Sequence, residues 1–182
     1  MKVKLFVLTV LLATFQLASA QRYICKDGHV WFYSHTPVED IEAHNNNVVS
    51  ILNVPTGDLA IELLVKSFEF KKALMQEHFN EEYLESDKFP KASFKGKITN
   101  IDQIDLKKDG TYSANVSGEL TMHGVTNSIK TTGTLVVKNG SVNGKSTFIV
   151  SPKDYNIKIP SVVEKNIARE IEVNVDLTYK TN

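Results

Sequence analysis

The 182-residue chain contains one cysteine, one tryptophan, five prolines and nine glycines. A single cysteine excludes an intramolecular disulfide, so a packed core has to supply the stability. Cys25 itself reads as a small buried apolar residue on the first strand. The low proline and glycine counts exclude collagen-like and low-complexity classes. Neither sign of charge dominates: 21 Lys and Arg stand against 21 Asp and Glu. The lysines are interleaved with glutamates and form no basic stripe, so no nucleic-acid partner is expected. Metal spacing is missing too, because His29, His35, His44, His78 and His123 make no H-x-H, H-x-x-x-H or H-E-x-x-H pattern. No G-x-S-x-G and no glycine-rich phosphate loop is present. The chain is therefore expected to be no enzyme and to carry no metal or catalytic cofactor.

Long apolar runs are confined to the beginning. Lys2 and Lys4 precede the run Leu5 to Leu17, which ends in Ala18-Ser19-Ala20. A short basic region, a short apolar stretch and an A-x-A end describe a cleavable secretory signal over residues 1–20. The run is short for a membrane span. The expected mature protein is residues 21–182, one domain, secreted and periplasmic, with no transmembrane segment. Setting the leader aside removes two lysines and leaves 19 basic against 21 acidic residues.

What the chain does have is alternation. In Gly110 to Val137, Tyr112, Ala114, Val116, Gly118, Leu120 and Met122 fall at every second position, as do Ile129, Thr131, Gly133, Leu135 and Val137. A period of two means one face in water and the other against something apolar. The two strands are expected to join through a loop, His123 to Asn127. Similar patterns run through Ala92–Ile101, Ser141–Val150 and Arg169–Lys180, and Asn139-Gly140 is a strong hairpin signal. Earlier, Asp27-Gly28 reads as a hairpin and Asn45-Asn46-Asn47 as a turn. The run Val30 to His35 is apolar or aromatic on both faces, which predicts one aromatic set inside and the other beneath a helix or loop. The period changes at Lys71–Leu84, where Met75, Phe79 and Tyr83 recur every four residues, with Leu74 and His78 beside them. This predicts one amphipathic helix, which needs a cover and suits a barrel mouth. Residues 151–168 lose the alternation and read as a long structured loop holding Tyr155, Ile157, Ile159 and Val162.

Closing these strands into a barrel buries all their inner faces at once. The fold class is all-β with one helix. An eight-stranded barrel has an interior wide enough for packed side chains or for one slender ligand, and the pattern alone leaves both open. Gly96, Gly118 and Gly133 in the inward rows favour space. The walls would be Phe32, Ile61, Leu63, Phe94, Ile98, Leu120, Met122, Phe148, Ile171 and Val173, with Gly118 and Gly133 between them.

Three segments, HFNEEYLESDKFPKASFKGKI (78–98), GELTMHGVTNSIK (118–130) and SPKDYNIKIPSVVEKNIAREIEVNVDL (151–177), resemble the YceI-like family of secreted, lipocalin-like proteins. The resemblance implies an eight-stranded antiparallel barrel with a helix near one end. It also implies a polyisoprenoid tail against the inner rows, and a turn at the rim over His123 to Asn127. On this basis the expected partner is an apolar lipid, either a polyprenyl lipid or an isoprenoid quinone, which the protein sequesters or transports. Lys153-Asp154-Tyr155 and Lys158, or Arg169 at the start of the last strand, are the candidates to meet a diphosphate head at the mouth, although each reads first as a solvated charge. A homodimer stays open. Two other readings remain: a barrel enzyme on a small apolar substrate, with Glu62 or Glu119 facing inward, and an envelope stress or interaction protein with a filled barrel.

Overall fold

The computed structural model describes residues 22–181; the expected leader lies outside them. Among the described residues there are nine strands: β1 (Arg22–His35), β2 (Asp40–Asn53), β3 (Asp58–Leu64), β4 (Glu69–Phe70), β5 (Lys91–Ile98), β6 (Gly110–Met122), β7 (Val125–Lys138), β8 (Ser141–Val150) and β9 (Ile171–Thr181). Eight of them close an antiparallel barrel in the order β1-β2-β3-β5-β6-β7-β8-β9, with β1 pairing to both β2 and β9. Every neighbour in the ring is the next long strand in the chain, as in an up-and-down barrel. The two-residue β4 adds to the edge of β2, at Ala43 and His44. Closure leaves no long edge for another chain to extend.

The connections divide between two ends. At one end lie the short hairpin Asn139-Gly140, the β2–β3 turn, and the β5–β6 loop that carries the buried Ile104 and Leu106. Asn139 and Gly140 have φ of 51° and 77°, the left-handed pair that a two-residue hairpin requires. The other end carries the long excursions: residues 65–90 and 151–170. It also carries the β6–β7 turn, which is only His123-Gly124, at φ of 51° and 73°. The strands run on through Val125 to Asn127, so the expected five-residue loop is a tight hairpin.

Two expected turns do not break the chain. β1 continues through Asp27-Gly28, where the register against β2 shifts between Cys25 and Gly28. A Cβ on Gly28 would lie 2.5 Å from the Leu177 side chain and 3.1 Å from the Val48 carbonyl oxygen. The glycine therefore marks a bulge at a close approach of strands. β2 likewise runs through the asparagine triplet. Buried Asn45 donates its amide N–H to the Leu64 carbonyl (2.9 Å) and accepts the Asn47 backbone N–H at Oδ1 (3.0 Å). The local bonding that suits asparagine to turns is spent here on a compensating bulge, between Gly28 and Val30 in the pairing register.

The helix is shorter than its pattern. α1 spans Ala73–His78, and the chain then widens into a π-turn over Phe79–Tyr83, with the Leu84 N–H bonded to the Phe79 carbonyl at 2.9 Å. Leu74, expected on the stripe, is 61% exposed. The outer aromatics of β1 also differ from expectation. Trp31 and Tyr33 are not covered by helix or loop; they stay half-exposed, Trp31 stacked on His29 at 4.5 Å and Tyr33 on His35 at 6.1 Å. Finally, β9 begins at Ile171, so Arg169 belongs to the preceding loop.

Candidate functional site

The inner row of the barrel is not buried evenly. Toward the short-loop end Ala114, Leu135, Val137, Val142, Leu177 and Tyr179 are all buried. There Tyr179 and Ser50 share a hydrogen bond of 2.8 Å, Ser50 also donates to the Ala60 carbonyl (2.9 Å), and burial pushes the Tyr179 hydroxyl well above its usual range. Toward the long-loop end Val116, Leu120, Met122, Ile129, Phe148, Val173 and Val175 are only half-buried, although they face inward. The area they leave uncovered faces a void. The inner row is packed more tightly toward the short-loop end, but Ala114, Leu135, Leu177 and Tyr179 there still border the void.

The void forms two cavities. The inner one, about 170 Å³, is lined by residues of all eight barrel strands, including Ile61, Leu63, Phe94, Ile98, Leu120, Met122, Gly133, Phe148 and Val173. The outer one, about 210 Å³, lies under the lid and is lined by Phe32, Ile171, Met122 and Val173, by Met75, Phe79, Tyr83 and Leu84 of the helical excursion, and by Ile157, Ile159, Val163 and Ile167 of the long loop. Met122, Val150 and Val173 line both. Beside this junction four rings pack together. Phe32 lies 5.4 Å from Phe68, 5.8 Å from Phe70 and 5.6 Å from Phe79, and Phe79 contacts both of the others. Such separations are typical of favourable aromatic pairs.

Of the twelve residues expected from the sequence, eleven line one cavity or the other. Gly118 lines neither. A Cβ there would meet the Phe94 ring at 2.6 Å, the Lys95 carbonyl oxygen and the Gly96 backbone. The Phe94 ring fills the room left by Gly118 and its cross-strand partner Gly96. These two glycines therefore create no empty space. Sequence reasoning misses Phe68 and Phe70, though their two-residue spacing just before α1 signals one more inward pair. Val163 lines the outer cavity, whereas the expected Val162 is 87% exposed. Nothing in the loop's sequence separates the two valines.

Polar groups are few. Glu39, Ser34, His78, Tyr83 and Asn166 border the outer cavity. Lys72 (2.8 Å) and Asn166 (3.1 Å) bond Glu39, and the Lys72 bond above all holds its carboxyl below the usual range. The acids that a barrel enzyme would need do not face inward: Glu62 is exposed and pairs with Lys91 at 2.7 Å, and Glu119 is exposed. Tyr155, expected near a head group, is buried at 2% exposure, and Arg169 lies 3.5 Å from Glu164. Among the described residues no three metal-ligating side chains cluster, and no helix is long and apolar enough to cross a membrane.

Residues 25–179 match the YceI-like domain. The chain belongs to the YceI-like family. Against curated proteins it has no sequence match. Solved structures with the same fold include a polyisoprenoid binding domain from Saccharophagus degradans implicated in plant cell wall breakdown. It has 13% identity and a TM-score of 0.77, covering 90% of this chain and 99% of that one. Burkholderia cenocepacia BcnA aligns with 14% identity and a TM-score of 0.64, covering 83% and 95%. The Campylobacter jejuni YCEI protein aligns with 12% identity and a TM-score of 0.60, covering 81% and 88%. At these identities the likeness extends to the fold. This YceI-like barrel therefore shares the family architecture, with its own side chains deciding what its interior can hold.

Proposed function

We propose that the protein binds an isoprenoid-type lipid, a polyprenyl chain or an isoprenoid quinone, with the tail in the inner cavity and the chain leaving through the outer one. The observation that carries this is the void inside the barrel, two apolar cavities that share Met122, Val150 and Val173 as lining. An apolar cavity of about 150 Å³ stays dry and takes up a molecule the size of benzene. The inner cavity is of that order, so a longer chain has to continue into the outer one. Its affinity comes from burial, roughly 25 cal/mol per Å² of apolar surface, less the cost of ordering the chain. The likeness to the Saccharophagus degradans polyisoprenoid binding domain supports the choice of ligand class. The leader-like residues 1–20 support export, and with it a role in sequestering or carrying the lipid in the periplasm.

The test is a series of isoprenols of increasing length, followed by thermal unfolding. A ligand at 100 times its Kd stabilises the folded state by about 2.7 kcal/mol, roughly 5–10 °C for a domain of this size. Stabilisation should grow with chain length until both cavities are occupied. A melting point indifferent to every member of the series would refute the reading.

A further inference from the structure

The geometry points to His123 as a proton-operated latch that holds both halves of the lid over the outer cavity when its ring is charged and releases the helical half when it is neutral. This rests on the reading of the outer cavity as the way in for the ligand. His123 forms the β6–β7 hairpin tip, directly after the cavity-lining Met122, and its side chain is only 9% exposed. Its Nδ1 lies 2.9 Å from the Tyr155 carbonyl oxygen, and its Nε2 lies 2.7 Å from the Glu85 carboxylate. A carbonyl oxygen can only accept a hydrogen bond, and so can an ionised carboxylate. Both ring nitrogens must then donate, and only the imidazolium has two N–H groups. A neutral ring keeps one bond and turns a lone pair toward the other partner.

The two partners belong to the two excursions that cover the cavity. Glu85 follows Leu84 at the end of the helical excursion, and Tyr155 opens the long loop two residues before Ile157. His123 is the hairpin residue that bonds to both. The backbone at the junction is unusual as well: Glu85 and His123 both have left-handed φ, 42° and 51°. Such conformations in non-glycine residues persist where the surroundings impose them. The Phe89 ring packs edge-on against His123 at 4.7 Å and fills the position a Cβ on Gly124 would take. The ring is thus fixed from a third side. The charged groups facing it are few. From the helical excursion they are Glu85 and, 3.6 Å from Glu85, Lys88; from the long loop it is the exposed Asp154 beside Tyr155. Its neighbours in the hairpin, Met122 and Gly124, carry no charge.

Imidazole is the side chain whose charge ordinarily changes between about pH 5 and 8. On deprotonation Nε2 gives its proton to water, the Glu85 bond is lost, and the helical half of the lid is freed. Hydrogen exchange of the unliganded protein tests this directly, over residues 79–89, with residues 151–168 as the half that keeps its bond. After correction for intrinsic rates, exchange over residues 79–89 should be about tenfold faster at about pH 8 than at about pH 5.5, the loss expected for one charge-assisted bond, while residues 151–168 and β6 to β9 change much less. In His123→Gln the lid should exchange fast at both pH values. Glu85→Gln discriminates further: a neutral His123 that donates from Nδ1 can accept the new amide N–H at Nε2, so protection should persist at high pH. Wild-type lid protection that is flat across this range would overturn the latch, as would a pH response retained in His123→Gln or left unchanged in Glu85→Gln. Uptake of the neutral rod diphenylhexatriene, measured on the same samples, separates the two ideas. Switching protection without dye entry refutes the binding reading alone; dye entry with flat protection refutes the latch alone.

Discussion

Gly118 shows how one residue can serve the barrel without serving the ligand. Its missing Cβ lets β5 and β6 approach and gives the Phe94 ring a bed across Gly96 and Gly118. A methyl at this position has nowhere to go, since two of its three nearest neighbours are backbone atoms. Gly118→Ala should therefore destabilise the fold by about 2 kcal/mol or more, as overpacking does, seen as a lower urea midpoint with an unchanged slope. Because Gly118 lines neither cavity, lipid affinity of the folded fraction should hardly change. A variant as stable as the wild type would mean that the ring has room to move.

At the scale of elements, the barrel strands are legible because each is written in strict alternation and the turn between β7 and β8 carries the residues that left-handed backbone prefers. The apparent stops inside β1 and β2 mislead for a physical reason. Asp-Gly and Asn-Asn-Asn look the same whether their local bonding ends a strand or bulges it, and only the partner strand decides. The void inside the barrel is legible only as inward rows, since alternation says which side chains face in and not how far apart they stand. The lid is harder still. The period of four over Met75, Phe79 and Tyr83 predicts one regular helix, whereas the π-turn brings Leu84 to the same cavity as Phe79. Such turns recur at functional sites. Phe79 joins this element to the aromatic cluster beside the cavity junction. Phe79→Ala should cost about 3–5 kcal/mol in stability and should also merge the two cavities. Lipid release measured by stopped-flow dilution should become faster, and an unchanged rate would show that the ring takes no part in the passage.

For the whole molecule, the acid limit follows from its surface carboxylates. Glu39, Asp40, Asp58 and Glu85 are held below the usual carboxylate range chiefly by hydrogen bonds from Lys72, His35, Thr56 and His123 respectively. For Asp176 burial acts the other way, but its bonds to Asn143 and Lys145 outweigh it. A carboxylate with a depressed folded pKa contributes stability that is complete above its unfolded value and is lost as pH falls through the folded one. Urea midpoints should thus be insensitive to these groups between about pH 5 and 7 and should fall below about pH 4. Constant stability down to about pH 2 would contradict the assignments. Protonating Glu85 in that range leaves His123 only a neutral acceptor there, a weaker bond than the charge-assisted one, so the lid should loosen in part in acid.

The central claim is that the closed barrel encloses an apolar void suited to a slender apolar chain. Native mass spectrometry of the protein mixed with a polyprenyl alcohol tests it most directly, with Val116→Trp as the plugged control, since Val116 faces the inner cavity from β6. The account predicts a one-to-one complex for the wild type, and for the plugged variant a folded protein that binds at least about tenfold more weakly. A wild type that stays free of lipid, or a Val116→Trp variant that binds as well as the wild type, would contradict it.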